Sequence, residues 1–173
     1  MGNPVLEAIA DRRSNRGYKS EQISKEQLDA LLLAAAQSPS ARNSQPWHFT
    51  VVQNQELIKE VNDEANSILG RTDGIFYGAP TVIFISCDNS AKWGRLDSGI
   101  AVQTIALAAH SLGLGSVILG LPDAAFTGPR GEYFKQLLKF PDKKDFAVAI
   151  AVGIPTVTKE AHPIEPDLVT YIE

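Results

Sequence analysis

The chain has 173 residues, of which 44% are hydrophobic and 21% charged, a composition typical of one globular domain with a substantial core. Its net charge of -4 argues against a general nucleic-acid binder, so any anionic ligand needs a local cluster of cations. The single cysteine, Cys87, excludes an internal disulfide and suits a reducing compartment, so we expect a cytoplasmic protein. No apolar run in the sequence has the length of a membrane span.

Helices and strands alternate along the chain, which predicts a layered sheet with helices on its faces. Capping residues and apolar periodicity predict five helices. They lie near residues 4–11, 24–37, 54–69, 97–112 and 132–138. Runs of β-branched and aromatic residues predict about four strands. They lie at residues 47–52, at 79–87, between Gly113 and Gly120, and at 146–152.

Three arginines, Arg12, Arg13 and Arg16, follow the first predicted helix and form the strongest basic cluster of this acidic chain. Cations at this position complement the negative end of the helix dipole, so a solvated helix end is one interpretation. The other is a phosphate clamp, in which guanidinium groups bind bidentately and Ser14 adds a hydroxyl. The cluster alone leaves both interpretations open.

A polar loop runs from Ser38 to Phe49, directly after the second predicted helix. Pro39 and Pro46 bracket it, so a helix does not continue comfortably at either end. Such a loop either solves a local folding problem or holds a polar ligand.

Familiar catalytic motifs are absent from the sequence. The glycines from Gly113 to Gly120 follow a helix and enter a strand, whereas a dinucleotide-binding loop follows a strand and opens a helix. The histidines, His48, His110 and His162, have no metal-ligand spacing. If the protein is an enzyme, we therefore expect a cofactor to supply the reactive group.

Several segments together resemble the nitroreductase family of FMN-dependent NAD(P)H oxidoreductases. Residues 12–16, Arg-Arg-Ser-Asn-Arg, are similar to the family's R-R-S-x-R signature. Residues 38–49 resemble its S-P-S-x-x-N-x-Q-P-W-x-F loop almost residue for residue. Further matches in the family's order lie at residues 78–80, 97–103, 112–115 and 151–155.

The resemblance implies an α+β fold with a central, mostly antiparallel sheet and helices on both faces. Residues 1–155 would form the FMN-binding domain, and residues 156–173 would form a C-terminal extension that packs on a partner subunit. The implied assembly is a homodimer with the flavin at its interface.

The resemblance also implies roles for individual residues. Arg12, Arg13, Ser14 and Arg16 would bind the FMN phosphate and ribityl chain. Pro39, Ser40, Ala41 and Asn43 would reach the flavin of the partner subunit. Ile118, Leu119 and Gly120 would lie beside the isoalloxazine ring.

Two parts of this chain depart from the family pattern. Larger members carry an Asn and a Lys on the pyrimidine side of the flavin, where this chain offers Asn66 and Arg71 at a different spacing. Arg71 would stabilise negative charge on the reduced flavin. Lys159, with His162 nearby, stands where the family often has a basic K-x-R.

The implied activity is ping-pong hydride transfer from NADH or NADPH, through FMN, to an electron-poor small molecule such as a nitroaromatic or a quinone. One alternative keeps FMN and changes the acceptor to an enone or a halogenated aromatic. Another is a flavin-binding module, such as a flavin store or redox sensor, without dedicated reductase activity.

Overall fold

A computed structural model describes residues 2–161, 163 and 165–172, and shows a four-stranded sheet. The strands are β1 Trp47–Val52, β2 Thr81–Asp88, β3 Gly115–Leu119 and β4 Lys144–Gly153. Each pair of neighbouring strands is antiparallel, and the strand order is β1-β2-β4-β3. The long β2 and β4 lie in the centre, and β3 is an edge strand.

Six α-helices surround the sheet in the described part of the chain. They are α1 Pro4–Asp11, α2 Lys25–Ala36, α3 Gln55–Leu69, α4 Gly94–Ser111, α5 Asp123–Thr127 and α6 Gly131–Leu137. The prediction of five helices missed α5, whose five residues are too few to show a helical period. Helix α4 begins three residues before the predicted start. None of these helices is long and apolar enough to cross a membrane.

Side-chain caps fix where three helices begin, as the sequence predicts. The Asn3 side chain accepts hydrogen bonds from the backbone at the start of α1, and Asn54 does the same for α3. Ser24 and Gln27 form a complete capping box at the start of α2.

Apolar residues on the two faces of the sheet form two separate cores. One face packs against α3, α5 and α6 around an aromatic cluster in which Phe126 stacks on Phe146 at 4.8 Å between ring centroids. The other face packs Ile83 and Ile85 against α2 and α4. The predicted α+β architecture, with helices on both faces of an antiparallel sheet, is confirmed.

The Cys87 thiol is buried at the end of β2, where burial raises its pKa. Because the thiolate is the reactive form, we expect Cys87 in the folded protein to react with Ellman's reagent at least ~100-fold more slowly than in denaturant. Stopped-flow absorbance with and without guanidinium measures the two rates. Equal rates would contradict the assignment of Cys87 as a core residue.

Candidate functional site

The arginine segment is bound to the edge of the sheet. Ser14 forms a parallel bridge with Ser116 of β3, and Tyr18 forms an antiparallel bridge with Pro155, just after β4. The phenol of Tyr18 donates a hydrogen bond of 2.7 Å to the backbone oxygen of Asn15, and burial raises the pKa of this phenol. The segment therefore has a fixed position beside β3.

Asn15 is the residue that connects this segment to its neighbours. It is 8% exposed, and its backbone N–H donates to the Ser116 carbonyl at 2.9 Å. Its side-chain oxygen accepts from the Ser116 N–H at 3.3 Å, and its side-chain nitrogen donates to the Val157 carbonyl at 2.9 Å. One buried amide thus holds the arginine segment, strand β3 and the chain after β4 together.

This arrangement produces a cavity of about 590 Å³ with a strongly positive lining. Its cations are Arg12, Arg13, Arg16 and Lys159, and Ser14 adds a hydroxyl. Among the described residues that line it, Glu160 is the one carboxylate. Such a donor set is suited to a phosphate group.

The four cations are not equivalent. The Arg13 guanidinium donates to the carbonyls of Ala10 and Arg12, at 2.6 and 2.8 Å, so Arg13 also caps the end of α1. Within the described ranges, Arg12, Arg16 and Lys159 form no ion pair or side-chain hydrogen bond. Arg13 therefore fits both interpretations of the cluster, a cation at the end of a helix and a phosphate ligand. Arg12, Arg16 and Lys159 are free to bind an anion.

Tyr77 supports Arg16 from the side of the loop that precedes β2. The Arg16 guanidinium carbon lies 5.8 Å from the centre of the Tyr77 ring, within cation–π range. Tyr77 has φ = 55° and the next residue, Gly78, has φ = 72°. A left-handed conformation is costly for an aromatic residue, so this turn is a strained support for the cavity wall.

Strand β3 presents backbone groups to the same region. The backbone N–H and C=O of Ser116 point away from β4, toward the arginine segment. Backbone groups of residues two apart in a strand point to the same side, so the N–H and C=O of Ile118 point to this same open edge of β3. Ile118 is 38% exposed, whereas Leu119 is 4% exposed and belongs to the core. Gly120 follows at the exposed end of the strand.

The Ser38–Phe49 loop is strained and held by α4. Arg42, Asn43 and Gln45 all have positive φ, at 57°, 54° and 44°. The buried Asp97 carboxylate accepts a hydrogen bond of 3.1 Å from the Ala41 N–H, and Ser38 donates to the Thr104 hydroxyl at 2.9 Å. Three non-glycine residues in this conformation indicate a loop whose shape serves a function.

We expect Asp97→Ala to release this loop. Removal of the carboxylate leaves the Ala41 N–H without its acceptor, at a cost of about 1–2 kcal/mol in local stability. The exchange of the Ala41 amide hydrogen should accelerate by roughly tenfold, measured by NMR. Thr104→Ala, which removes the separate bond to Ser38, is the matched control and should leave the Ala41 amide unchanged. Equal exchange in Asp97→Ala and the parent protein would contradict the anchoring role.

Asn66 and Arg71 stabilise their own turn and do not line the cationic cavity. The Asn66 side chain donates to the Asp73 carbonyl at 2.7 Å, and Arg71 forms an ion pair with the Asp73 carboxylate at 2.5 Å. Their predicted roles beside a flavin stay predictions. His162 lies outside the described residues.

The cationic cavity and the strained loop are separate within one chain. Ala41 lines two other cavities and Ser40 lines one of them, and among the described residues neither cavity shares a lining residue with the cationic one. No histidine or cysteine lines these three cavities, so their described side chains include no imidazole base and no thiol nucleophile.

Comparison with known proteins identifies the family. The model of the nitroreductase family matches residues 9–71 and 67–154. The chain belongs to the nitroreductase family.

Individual relatives match most or all of the chain. A crystal structure of a nitroreductase with bound FMN from Desulfitobacterium hafniense is 37% identical, covers 100% of both chains and has a TM-score of 0.93. A protein of Methanothermobacter thermautotrophicus, provisionally named NADH dehydrogenase/NAD(P)H nitroreductase, is 36% identical over 87% of this chain and 77% of its own length. An iodotyrosine deiodinase of Thermotoga neapolitana is 25% identical over 92% of this chain and 93% of its own length.

The predicted family is therefore confirmed, and the predicted cofactor, FMN, is the one present in the Desulfitobacterium nitroreductase. The predicted enzyme class, an NAD(P)H-dependent oxidoreductase, is also the class given in the name of the Methanothermobacter protein. Asn15, Tyr77 and Asp97 were not predicted as site residues of this nitroreductase. Asn15 and Asp97 lie inside the matching motifs, which is the one signal that could have identified them.

Proposed function

We propose that this nitroreductase binds FMN and transfers electrons from NADH or NADPH to an electron-poor small molecule. The observation that carries the proposal is the cationic cavity, in which Arg12, Arg16 and Lys159 form no ion pair with any described carboxylate. These side chains would hold the phosphate, with Arg13 and Ser14 beside them. The open edge of β3 at Ile118 and Gly120 would offer backbone groups to the ring, and Leu119 would fix the strand in the core.

FMN, when bound, supplies the redox chemistry, in which a hydride arrives from NAD(P)H and two electrons leave to the acceptor. Reduction of a nitro group to a nitroso group takes two electrons and two protons and releases water. The hydride brings both electrons and one proton, and the second proton comes from solvent. The protein's own residues anchor the phosphate, orient the ring and exclude water.

The functional unit in this proposal is a homodimer. Because Pro39, Ser40, Ala41 and Asn43 lie apart from the cationic cavity of their own chain, they would contact the flavin held by the partner. Helix α1 supports dimerisation, since none of its residues is buried and Val5, Leu6 and Ile9 are 50–63% exposed. An isolated eight-residue helix is marginal in water, so a partner surface would stabilise it.

The C-terminal extension would cover part of that partner. Its beginning is bound to its own chain, through Asn15 to Val157 and through the Thr156 N–H to the Gly17 carbonyl at 3.0 Å. Its end is apolar and exposed, with Tyr171 at 84% and Ile172 at 95%. The cytoplasmic location stays a prediction.

The absorbance spectrum of the purified protein tests the proposed function. We expect a yellow protein with one FMN per chain, which NADH or NADPH bleaches rapidly under anaerobic conditions and which a nitroaromatic or quinone then restores. A colourless protein that shows neither flavin quenching nor a thermal shift on addition of FMN would contradict the proposal. Bound flavin that resists both nicotinamides would instead favour a flavin store or redox sensor.

Reductive removal of halogen from an aromatic is the second candidate, favoured by the similarity to an iodotyrosine deiodinase. Halide release from iodotyrosine and from simple halophenols by the reduced protein, measured with an ion-selective electrode, decides between the two. Halide release faster than nitroaromatic or quinone reduction would replace the first candidate with the second. The same comparison with an enone tests the remaining alternative.

A further inference from the structure

Trp93 lines two neighbouring cavities beside the strained loop. One has a volume of about 290 Å³, and the residues that line it include the polar side chains of Arg42, Ser44 and Lys92. The other, of about 310 Å³, has an apolar lining that includes Leu96 and Ile100. Ala41, Trp93 and Asp97 line both, so the two cavities form one site with a polar half and an apolar half.

The connection between β2 and α4 fixes the position of Trp93. The Asp88 carboxylate accepts from the N–H and the hydroxyl of Ser90, at 2.8 and 2.7 Å, and the Asp88 carbonyl accepts from the Ala91 N–H at 3.1 Å. A Cβ on Gly94 would lie 3.2 Å from the Asp88 carbonyl oxygen, so the chain is tightly packed where the helix begins. Trp93 is nevertheless 50% exposed, which places a well-supported indole on the surface of a cavity.

The polar half of this site is cationic. The Lys92 ammonium lies 4.8 Å from the centre of the Trp93 ring, and Arg42 projects from the left-handed part of the loop. Neither cation forms an ion pair with any residue that the structure describes. The carboxylate of Asp97 is buried against the Ala41 N–H, and that of Asp88 is bound to Ser90. An anionic group would therefore meet two unpaired cations.

We infer that this site binds the electron acceptor and selects aromatic molecules that carry a carboxylate. The aromatic ring packs against Trp93 in the apolar half, and the carboxylate lies near Arg42 and Lys92. The inference rests on the proposed function, because the loop that carries Ser40 and Ala41 would border the flavin of the partner subunit. It assigns acceptor selectivity to Arg42, inside the Ser38–Phe49 loop, and to Lys92 and Trp93, which lie outside the family motifs.

The test compares two acceptors of nearly equal shape, 4-nitrobenzoate and 4-nitrobenzamide. For the FMN-loaded protein we expect kcat/KM to favour the carboxylate by about tenfold, since an exposed cation contributes a factor of up to roughly five. In Arg42→Gln/Lys92→Gln this preference should fall to nearly one, mainly through KM for the carboxylate. Lys25→Gln/Arg130→Gln, which removes the same charges from exposed residues that line neither half of the site, should keep the preference.

A second measurement does not depend on turnover. Benzoate should quench the tryptophan emission more strongly than benzamide, and the signal should disappear in Trp93→Phe, which keeps an aromatic ring and leaves the buried Trp47 as the remaining fluorophore. An unchanged acceptor preference in Arg42→Gln/Lys92→Gln, or a benzoate signal that survives Trp93→Phe, would overturn the inference. If the protein held no FMN, the proposed function would fail, and the benzoate titration would still decide whether this site exists.

Discussion

Arg12→Ala/Arg16→Ala is expected to weaken FMN binding by about 100-fold or more. Each guanidinium has no competing ion pair in the described structure, so each can make charge-assisted hydrogen bonds to a phosphate, and such bonds are among the strongest in proteins. Isothermal titration of the flavin-free protein with FMN measures the loss. The ratio between parent and variant should shrink as salt rises, because ions screen the charge that the variant lacks.

Arg130→Ala is the matched control for this result. It removes one guanidinium from a surface network with Glu60 and Glu64, none of which lines the cationic cavity. We expect FMN affinity within about twofold of the parent, since a surface ion pair contributes little. If Arg12→Ala/Arg16→Ala bound FMN as tightly as Arg130→Ala does, the FMN phosphate would not lie in the cationic cavity.

Asn15→Leu is expected to lower both stability and FMN affinity. Leucine has a similar size but leaves the Ser116 N–H and the Val157 carbonyl without their partner inside the protein. The unsatisfied Ser116 N–H is buried, and its desolvation together with the lost hydrogen bond to the exposed Val157 costs about 2–4 kcal/mol in the free energy of unfolding, or roughly 5–15 °C in Tm for a chain of this length. Calorimetry of the flavin-free protein separates this loss from the loss of ligand stabilisation.

Val157→Ala keeps the backbone carbonyl and removes only a side chain that is partly exposed, so it should shift Tm by no more than about 3 °C. A variant Asn15→Leu with normal Tm and normal FMN affinity would show that the arginine segment does not depend on this amide. Normal Tm with weak FMN binding would show that Asn15 shapes the cationic cavity but contributes little to the free energy of unfolding.

Local rules predicted most of the secondary structure. The start of a helix can be predicted from Asn3, Ser24 and Asn54, because a side-chain cap is a short-range interaction that involves only a few neighbouring residues. The strand Trp47–Val52 has the predicted bounds, and Gly113 ends α4 with φ = 74°, as a glycine after a helix commonly does. The antiparallel sheet was predicted from the resemblance to the family, because the alternation of helices and strands alone does not predict it.

Short-range patterns in the sequence do not predict the long-range contacts that hold the site together. Asn15 and Val157 are 142 residues apart, and Ala41 and Asp97 are 56 apart, so nothing local in the sequence pairs them. No motif in the sequence distinguishes Tyr77, which lies beside Arg16 in the fold. Asn66 and Arg71 were selected by analogy with a pyrimidine-side pair, whereas their described contacts are with Asp73.

A subunit-mixing experiment tests the central claim, that the cavity of one chain and the loop of another form each flavin site. Arg12→Ala/Arg16→Ala lacks the clamp, and Ala41→Glu blocks the loop with a larger, charged side chain. Differently tagged copies of the two are co-expressed, and the mixed dimers are purified through both tags. We expect mixed dimers to contain half as much FMN per chain as the parent dimer, because one site regains both intact parts. Mixed dimers as empty as either variant alone would contradict a site shared between subunits.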